Sequence, residues 1–345
     1  MRSAFGERFD VPAGYLDTAS IGIPPSRTVD AARMVVERWA CGADRPPDFD
    51  AAVATARAAW ADLVGLPPSL VGAGATVSQL VSLVAASVPA SSRVLVAAGD
   101  FTSVSFPFAA RGLAMTEAPL ASLAEAVPGH DVVAVSVVQS ADGAVLDVPG
   151  VLAAAREAGA RVLLDVTQGL GWLPMSVAGA DWVVGTGYKW LMVPRGVAWL
   201  GVSEEALPLT GPFAANWYAG EDPWQAVYGL PLRLASDARR FDLSPAWPAH
   251  VAAAASLPWL ASLDREAVRA HCVGLADSLL AGLGLAPRGS AIVSLPLPEP
   301  AVAALAAAGV RCAGRAGRTR LAFHLYNTPS DVELVLDALA GVPSA

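Results

Sequence analysis

Lys189 is the only lysine in the chain; the remaining 22 of its 23 basic residues are arginines. Arginine serves wherever a generic cation is enough, but its guanidinium stays protonated and cannot attack a carbonyl. A lysine amine that gives up its proton can. A chain that uses arginine almost everywhere and keeps one lysine marks that amine as a candidate for covalent chemistry. Its neighbours support this reading. Lys189 stands in Gly185-Thr186-Gly187-Tyr188-Lys189-Trp190, directly after the apolar run Trp182–Val184. Thr186 and Tyr188 flank it with a hydroxyl and a phenol suited to donate to a phosphate. Desolvation at such a strand end lowers an amine's pKa and improves it as a nucleophile.

Three further sites carry chemistry. Asp165 ends the apolar run Arg161–Asp165, with Gln168 three residues later. In open α/β sheets, ligands lie beyond the carboxyl ends of strands. A carboxylate there is placed to hold a cationic group, such as a protonated ring nitrogen. The same Asp-x-x-Gln spacing also suits a local helix cap, and the residues alone leave both readings open. Gly72-Ala73-Gly74-Ala75-Thr76, followed by the apolar helical stretch Val77–Ala86, reads as a glycine-rich turn into a helix N-terminus. That is an anion site, to which Thr76 adds a hydroxyl. Its spacing is not G-x-G-x-x-G, which counts against a nicotinamide enzyme. Arg320 lies on an apolar strand-like run, where a guanidinium costs desolvation unless it meets an anion. Its planar fork suits a carboxylate.

The elements that must position these residues alternate along the chain. Strand-like runs fall at Arg93–Ala97, Val132–Val138, Arg161–Asp165, Trp182–Val184 and Val197–Val202, with helical patterns such as Leu120–Ala126 and Val148–Ala158 between them. This pattern predicts an α/β fold with a mostly parallel central sheet and helices on both faces. A long helix is expected over Pro248–Leu263. A small C-terminal α/β domain should follow: Arg265–Leu283, Ala291–Leu295, Ala301–Ala308, Val310–Cys312 with Thr319–His324, and Ser330–Leu339. The expected division is an N-terminal segment, 1–62, packing with the small domain; a large ligand-binding domain, 63–250; and the small domain, 251–345.

Composition narrows the function classes. At 345 residues and 54% hydrophobic content the chain can bury a large core. No apolar run reaches membrane-span length, and Met1–Asp10 lacks a signal-peptide core, so a cytoplasmic protein is expected. The formal net charge of −8, without a basic stripe, speaks against nucleic-acid binding. The three cysteines (Cys41, Cys272, Cys312) and four histidines are scattered, with no metal-type spacing.

Taken together, these motifs resemble the class V aminotransferases of fold type I, the pyridoxal 5′-phosphate (PLP) group that contains cysteine desulfurases and kynureninases. The resemblance runs from about Tyr15 to Leu339. It implies PLP as cofactor, with Lys189 as the Schiff-base lysine. Asp165 would pair with the pyridine nitrogen and Gln168 with the phenolic oxygen, while Phe101, in Gly99-Asp100-Phe101-Thr102, would stack on the ring. Ala75 and Thr76 would lie in the phosphate cup with Thr186 and Tyr188. Arg320, six residues before Tyr326-Asn327-Thr328, would grip the substrate α-carboxylate. Ser244, before Pro245, would reach the phosphate of a neighbouring subunit, which implies a homodimer. Ser20-Ile21-Gly22-Ile23-Pro24 is similar to the kynureninase opening.

The expected enzyme therefore acts on an amino acid, as a transferase by transamination or as a lyase by β-elimination. Ser140, Asn216, Trp217 and Tyr218 are candidates for contacts to the substrate. Desulfurases carry a nucleophilic cysteine on a loop, and the nearest counterpart here, Cys312, reads as part of a strand. A cysteine desulfurase or a kynureninase-like hydrolase is the alternative activity. A PLP-binding regulatory protein without turnover is the alternative of another class.

Overall fold

The structure, a computed structural model, describes residues 1–340. A short hairpin, β1 (Arg2–Ala4) and β2 (Glu7–Phe9), leads to helices α1 (Ser26–Ala40) and α2 (Asp50–Val64). Strands and helices then alternate: β3 (Val71–Gly74), α3 (Val77–Ser87), β4 (Arg93–Ala97), α4 (Thr102–Ala110), β5 (Ala114–Ala118), α5 (Leu123–Ala126), β6 (Val132–Ser136), α6 (Val148–Ala158), β7 (Arg161–Asp165), β8 (Trp182–Thr186) and β9 (Ala198–Val202). A long irregular stretch follows. Then come α7 (Trp247–Ala261), α8 (Arg265–Gly282), β10 (Ile292–Leu295), α9 (Glu299–Ala307), β11 (Ala313–Arg315), β12 (Arg318–Ala322) and α10 (Pro329–Ala340).

The central sheet has seven strands in the order β3-β9-β8-β7-β6-β4-β5. Only β9 runs against its neighbours. The inner strands are apolar on both faces because both faces are covered. In β4, Leu95 and Ala97 face one core, shared with α2, α6 and α7. Val94 and Val96 face another, shared with α3 and α4. Strands β6, β7 and β8 are parallel neighbours, so their carboxyl ends lie at one edge, and the candidate site is there. No helix among the described residues is long and apolar enough to cross a membrane.

A three-stranded antiparallel sheet, β10-β12-β11, packs with α8, α9 and α10 around its own cluster of Leu279, Val293, Leu321 and Phe323. The first 23 residues close onto this body. Leu16 joins its core, Leu16 N donates to Arg311 O at 2.8 Å, and Arg2 pairs with Asp331. Helix α2 instead lies on the large sheet, where Trp60 stacks on Trp199 with centroids 5.9 Å apart. Arg57 of α2 grips Asp242 through two hydrogen bonds of 2.9 and 2.6 Å, and Asp242 also accepts from Ala73 N at 2.7 Å. This buried pair ties α2, edge strand β3 and the irregular stretch together. Removing one partner of such a pair costs about 3–5 kcal/mol, because the other charge is left buried and alone.

Four local expectations change. Gly72 and Gly74 are not in a turn: they belong to β3. A Cβ on Gly72 would come within 2.9 Å of Ala238 O, so these glycines serve close packing. Strand β5 and helix α4 were not expected. The strand is a largely exposed edge without apolar alternation, and the helix carries Pro107 in its body. Finally, Cys312 precedes β11 rather than sitting in a strand. The two-residue turn at Ala316-Gly317, both at positive φ, sets the register of the hairpin and starts β11 at Ala313.

Candidate active site

Lys189 leaves β8 in a tight loop. Gly187 N donates to Val197 O, Val193 N to Gly187 O and Met192 N to Lys189 O. The N-terminal segment lies directly on this loop. Gly22 N donates to Tyr188 O at 2.9 Å, and a Cβ on Gly22 would fall 2.0 Å from Lys189 O. Only glycine allows that approach. The Lys189 side chain is 6% exposed. Its Nζ stands 5.1 Å from the centre of the Phe101 ring and 5.8 Å from that of Tyr188. Burial lowers its pKa to about 8; Asp165 opposes this, and the charges of Arg320, Arg315 and Arg195 add to it.

Asp165, at the end of β7, shares the cavity with Lys189. Its Oδ1 accepts from Thr167 N at 2.8 Å. Burial raises its pKa to about 6, the Thr167 hydrogen bonds hold it down, and nearby Asp100 pushes it up. A cation facing it would favour the ionised form. Gln168 is held firmly: Oε1 accepts from Trp190 Nε1 at 2.8 Å, and Nε2 donates to Ala19 O and Ser140 Oγ, both at 3.0 Å. It reaches a ligand oxygen only by exchanging one of these partners. Ser140 Oγ also accepts from Arg320 at 3.1 Å, which leaves its own O–H free to donate to a ligand.

Arg320 on β12 is buried, donates to Ser140 O at 2.5 Å and Ser20 Oγ at 2.8 Å, and faces Asp17 at 3.8 Å. Its Nε has no partner. Burial lowers its pKa to about 10, helped by the charge of Arg315 and opposed by Asp17. It remains a cation at neutral pH, with donor capacity in reserve for a carboxylate.

At the other end of the cavity, two helices start. Thr76 caps α3, its side chain accepting from Gln79 N at 3.3 Å, and Phe101 occupies the cap position of α4. Ser78, Thr102 and Ser103 of these first turns line the cavity. Two helix N-termini with hydroxyls in their first turns are suited to a phosphate. The cavity measures about 290 Å³.

Most of the expected residues meet here: Lys189, Asp165, Gln168, Thr76, Phe101, Thr186, Tyr188 and Ser140 all line the cavity. The Thr186 hydroxyl, however, lies 3.2 Å from Val197 O, to which it donates, so it must turn to serve a phosphate. Ala75 lies beside Thr76, its N–H directed at Gln79 Oε1. Asn216 and Trp217 are not brought to the cavity. Asn216 spends its amide on Ala214 O, Asp242 O and Tyr218 N, and Trp217 packs on Tyr218 and Trp224. Tyr218 turns to Asp50. Ser244 is exposed, outside the cavity of its own chain. The sequence reading missed Ser78, Thr102, Ser103, Ser136, Thr167 and Arg195, all of which line it. The strand-to-helix turn at Gly99–Ser103 was the one signal available for Thr102 and Ser103.

This donor set fits PLP: a buried carboxylate for a ring cation, an aromatic face, two helix N-termini for the phosphate and a desolvated lysine for the aldehyde carbon. The family profile described as "Aminotransferase class-V" matches residues 104–313. The chain is 28% identical over 213 residues to the uncharacterized aminotransferase YcbU of Bacillus subtilis, covering 58% of this chain and 56% of that protein. It is 30% identical over 246 residues to a probable cysteine desulfurase of Pseudomonas putida, covering 61% and 58%. The match thus spans less than two thirds of either relative. Among solved structures, the cystine C-S lyase C-DES in complex with its product, cysteine persulfide, superposes with a TM-score of 0.84 at 20% identity, covering 96% of this chain and 98% of that one. At that identity the likeness shows the fold, and the fold is type I. The chain belongs to the class V aminotransferase family.

Proposed function

We propose that the enzyme catalyses β-elimination on an amino acid with a leaving group at Cβ, a cysteine S-conjugate being the simplest case. The observation that carries this reading is one cavity lined by Lys189 and Asp165 and by no cysteine, with Arg320 buried just behind its wall, bonded to lining Ser140 and keeping a free donor at Nε. PLP, when bound, withdraws electrons from the substrate Cα. Arg320 holds the α-carboxylate, with Ser140 beside it. Lys189 takes the Cα proton. The Cβ–S bond then breaks, its electron pair leaving on sulfur as thiolate, and hydrolysis of the released enamine gives pyruvate and ammonia. Asp165 keeps a positive charge stable at the ring nitrogen throughout. The fold shared with a protein named as a cystine C-S lyase supports the same reading.

A thiol-mediated route, as the name of the Pseudomonas relative would suggest, is disfavoured by the state of the cysteines. Burial and the charge of Asp17 push the Cys312 thiol up, away from the reactive thiolate, and burial does the same to Cys272. The test is a panel of amino acids and cysteine S-conjugates, scored for pyruvate, ammonia, keto acid and sulfide. Pyruvate and ammonia are expected without any added amino acceptor, and Cys312→Ser should keep within about twofold of the parent rate, since a surface-side packing change costs little. Keto acid formed only with an amino acceptor would make the enzyme a transaminase. Alanine from cysteine, lost in a folded Cys312→Ser, would make it a desulfurase.

The expected boundary at 250/251 falls inside α7, a single helix packed in the core of the large sheet; we also propose that the small lobe begins after α7, and that the enzyme works as a homodimer in which Ser244 serves the neighbouring site. Exposed Phe213, Tyr228, Leu230 and Leu232 support a covered face in that region. Lys189→Ala and Ser244→Asp, each inactive, should complement after reversible dissociation and mixing. A mixed dimer holds one intact site and one with both faults, so it should recover toward half the parental activity. A monomer by sedimentation, or mixed dimers without activity, would contradict shared sites.

A further inference from the structure

The β11–β12 hairpin sets Arg315 opposite Arg318 and Ala313 opposite Arg320. Cross-strand partners and residues two apart share a face, so Arg315, Arg318 and Arg320 rise from the same side of the sheet. Each is satisfied differently. Arg318 is spent on Ser294, with Nε 3.0 Å from Oγ and a terminal nitrogen 2.9 Å from the carbonyl. Arg320 is buried against Ser140 and Ser20, with Asp17 nearby. Arg315 is exposed; it reaches only the carbonyl of Gly314 at 2.7 Å and Ser20 Oγ at 3.1 Å. Among the described residues no carboxylate forms an ion pair with it.

Ser20 Oγ therefore accepts from two guanidinium groups at once. A chain of contacts leads outward from the buried site: Gln168, Ser140, Arg320, Ser20, Arg315. The charge of Arg315 is felt inside, where it depresses the proton affinity of both Arg320 and Lys189. Asp17 offsets one of the two arginine charges, and the other stands without a counterion. A substrate α-carboxylate must lie at the inner arginine, because Cα has to come within proton-transfer reach of Lys189. Arg315 shares Ser20 Oγ with that inner arginine, which puts the two guanidinium groups side by side, the inner one buried and the outer one at the surface.

We propose that Arg315 is a specificity residue that receives a second anionic group at the outer end of the substrate side chain, while Arg320 holds the α-carboxylate. The preferred substrates are then amino acids carrying a distal carboxylate or comparable anion. This rests on the elimination reading above for its product assay, but not for its binding assay.

The test uses the PLP-loaded enzyme and two substrates that differ chiefly in charge, S-carboxymethylcysteine and S-carbamoylmethylcysteine. Two quantities are read: kcat/KM for pyruvate formation, and the dissociation constant from the visible spectral change. The acid should be preferred about tenfold, the size expected of one exposed charge-assisted hydrogen bond. Arg315→Gln should bring both ratios close to one, and Arg315→Lys should retain part of the preference. Equal treatment of the two substrates by the parent enzyme would overturn the proposal. So would a preference that survives in Arg315→Gln, since the arginine would then act on the α-carboxylate or on Arg320. If both substrates perturb the spectrum without yielding pyruvate, the elimination reading fails, and the ratio of dissociation constants still decides the role of Arg315. A failure of both to bind counts against both readings.

Discussion

Lys189→Ala is expected to lower turnover by at least about 10⁴-fold, the upper range of what one proton-transferring side chain supplies, and to remove the visible absorption band of the PLP-loaded protein. No second lysine exists to take its place. Lys189→Arg should fail as completely, because the guanidinium keeps its proton. The surroundings of Lys189 explain why the native amine is ready. With a pKa lowered to about 8 by burial, roughly a tenth of the amine is neutral at pH 7, against roughly one part in 3,000 for an unperturbed lysine. The neutral fraction grows as pH rises through about 8, so uptake of PLP by the apoprotein should accelerate over that range and level off above it. Substantial activity in either variant, with circular dichroism showing an intact fold, would refute the assignment.

The lysine and the aspartate that line the cavity were legible because few alternatives exist for them. A single lysine, and an aspartate at the end of a fully apolar strand, stand out from their surroundings. The strands Arg93–Ala97 and Arg161–Asp165 and the helix Val148–Ala158 were readable to the residue. Each is a short apolar or amphipathic run between clear stops, and the helix is capped by Asp147 and closed by left-handed Gly159. Strand β3 was not readable, since its two glycines signal a turn as strongly as close packing. Only the chain segment 238–241 lying over it tells the two apart. Helix α4 hides behind Pro107. Ser78, Thr102 and Ser103 are of types too common to single out, and they matter only because two helices begin at one cavity. Asn216 and Trp217 show the converse. An amide and an indole in an irregular stretch suggest a binding loop, yet this amide holds the stretch together by accepting from Tyr218 N and donating to Asp242 O. The link between Ser20 and Arg315 spans 295 positions, and no local pattern could reveal it.

Asp165→Asn is the second large effect: the variant should fold and bind PLP, but turn over about 10²–10⁴-fold more slowly, the range over which a misplaced charge or proton acts on a transition state. The substitution preserves size and can still accept from Thr167 N, so packing at the end of β7 is kept. It removes the one negative charge available to a protonated ring nitrogen, and with it the means of keeping that nitrogen protonated. The pH dependence separates this role from a structural cap. Burial raises Asp165 to about 6. A cation opposite it favours the carboxylate and moves this value down. Because the ionised form is the working one, parental activity should fall as pH drops through a value at or below about 6. The residual activity of Asp165→Asn should lack that acid limb, as an amide does not titrate there. A cap would behave otherwise: its loss would lower the melting temperature while leaving kcat and its pH profile in place. A variant with the parental rate would place the ring nitrogen away from Asp165 and overturn the orientation of the cofactor inferred from this cavity.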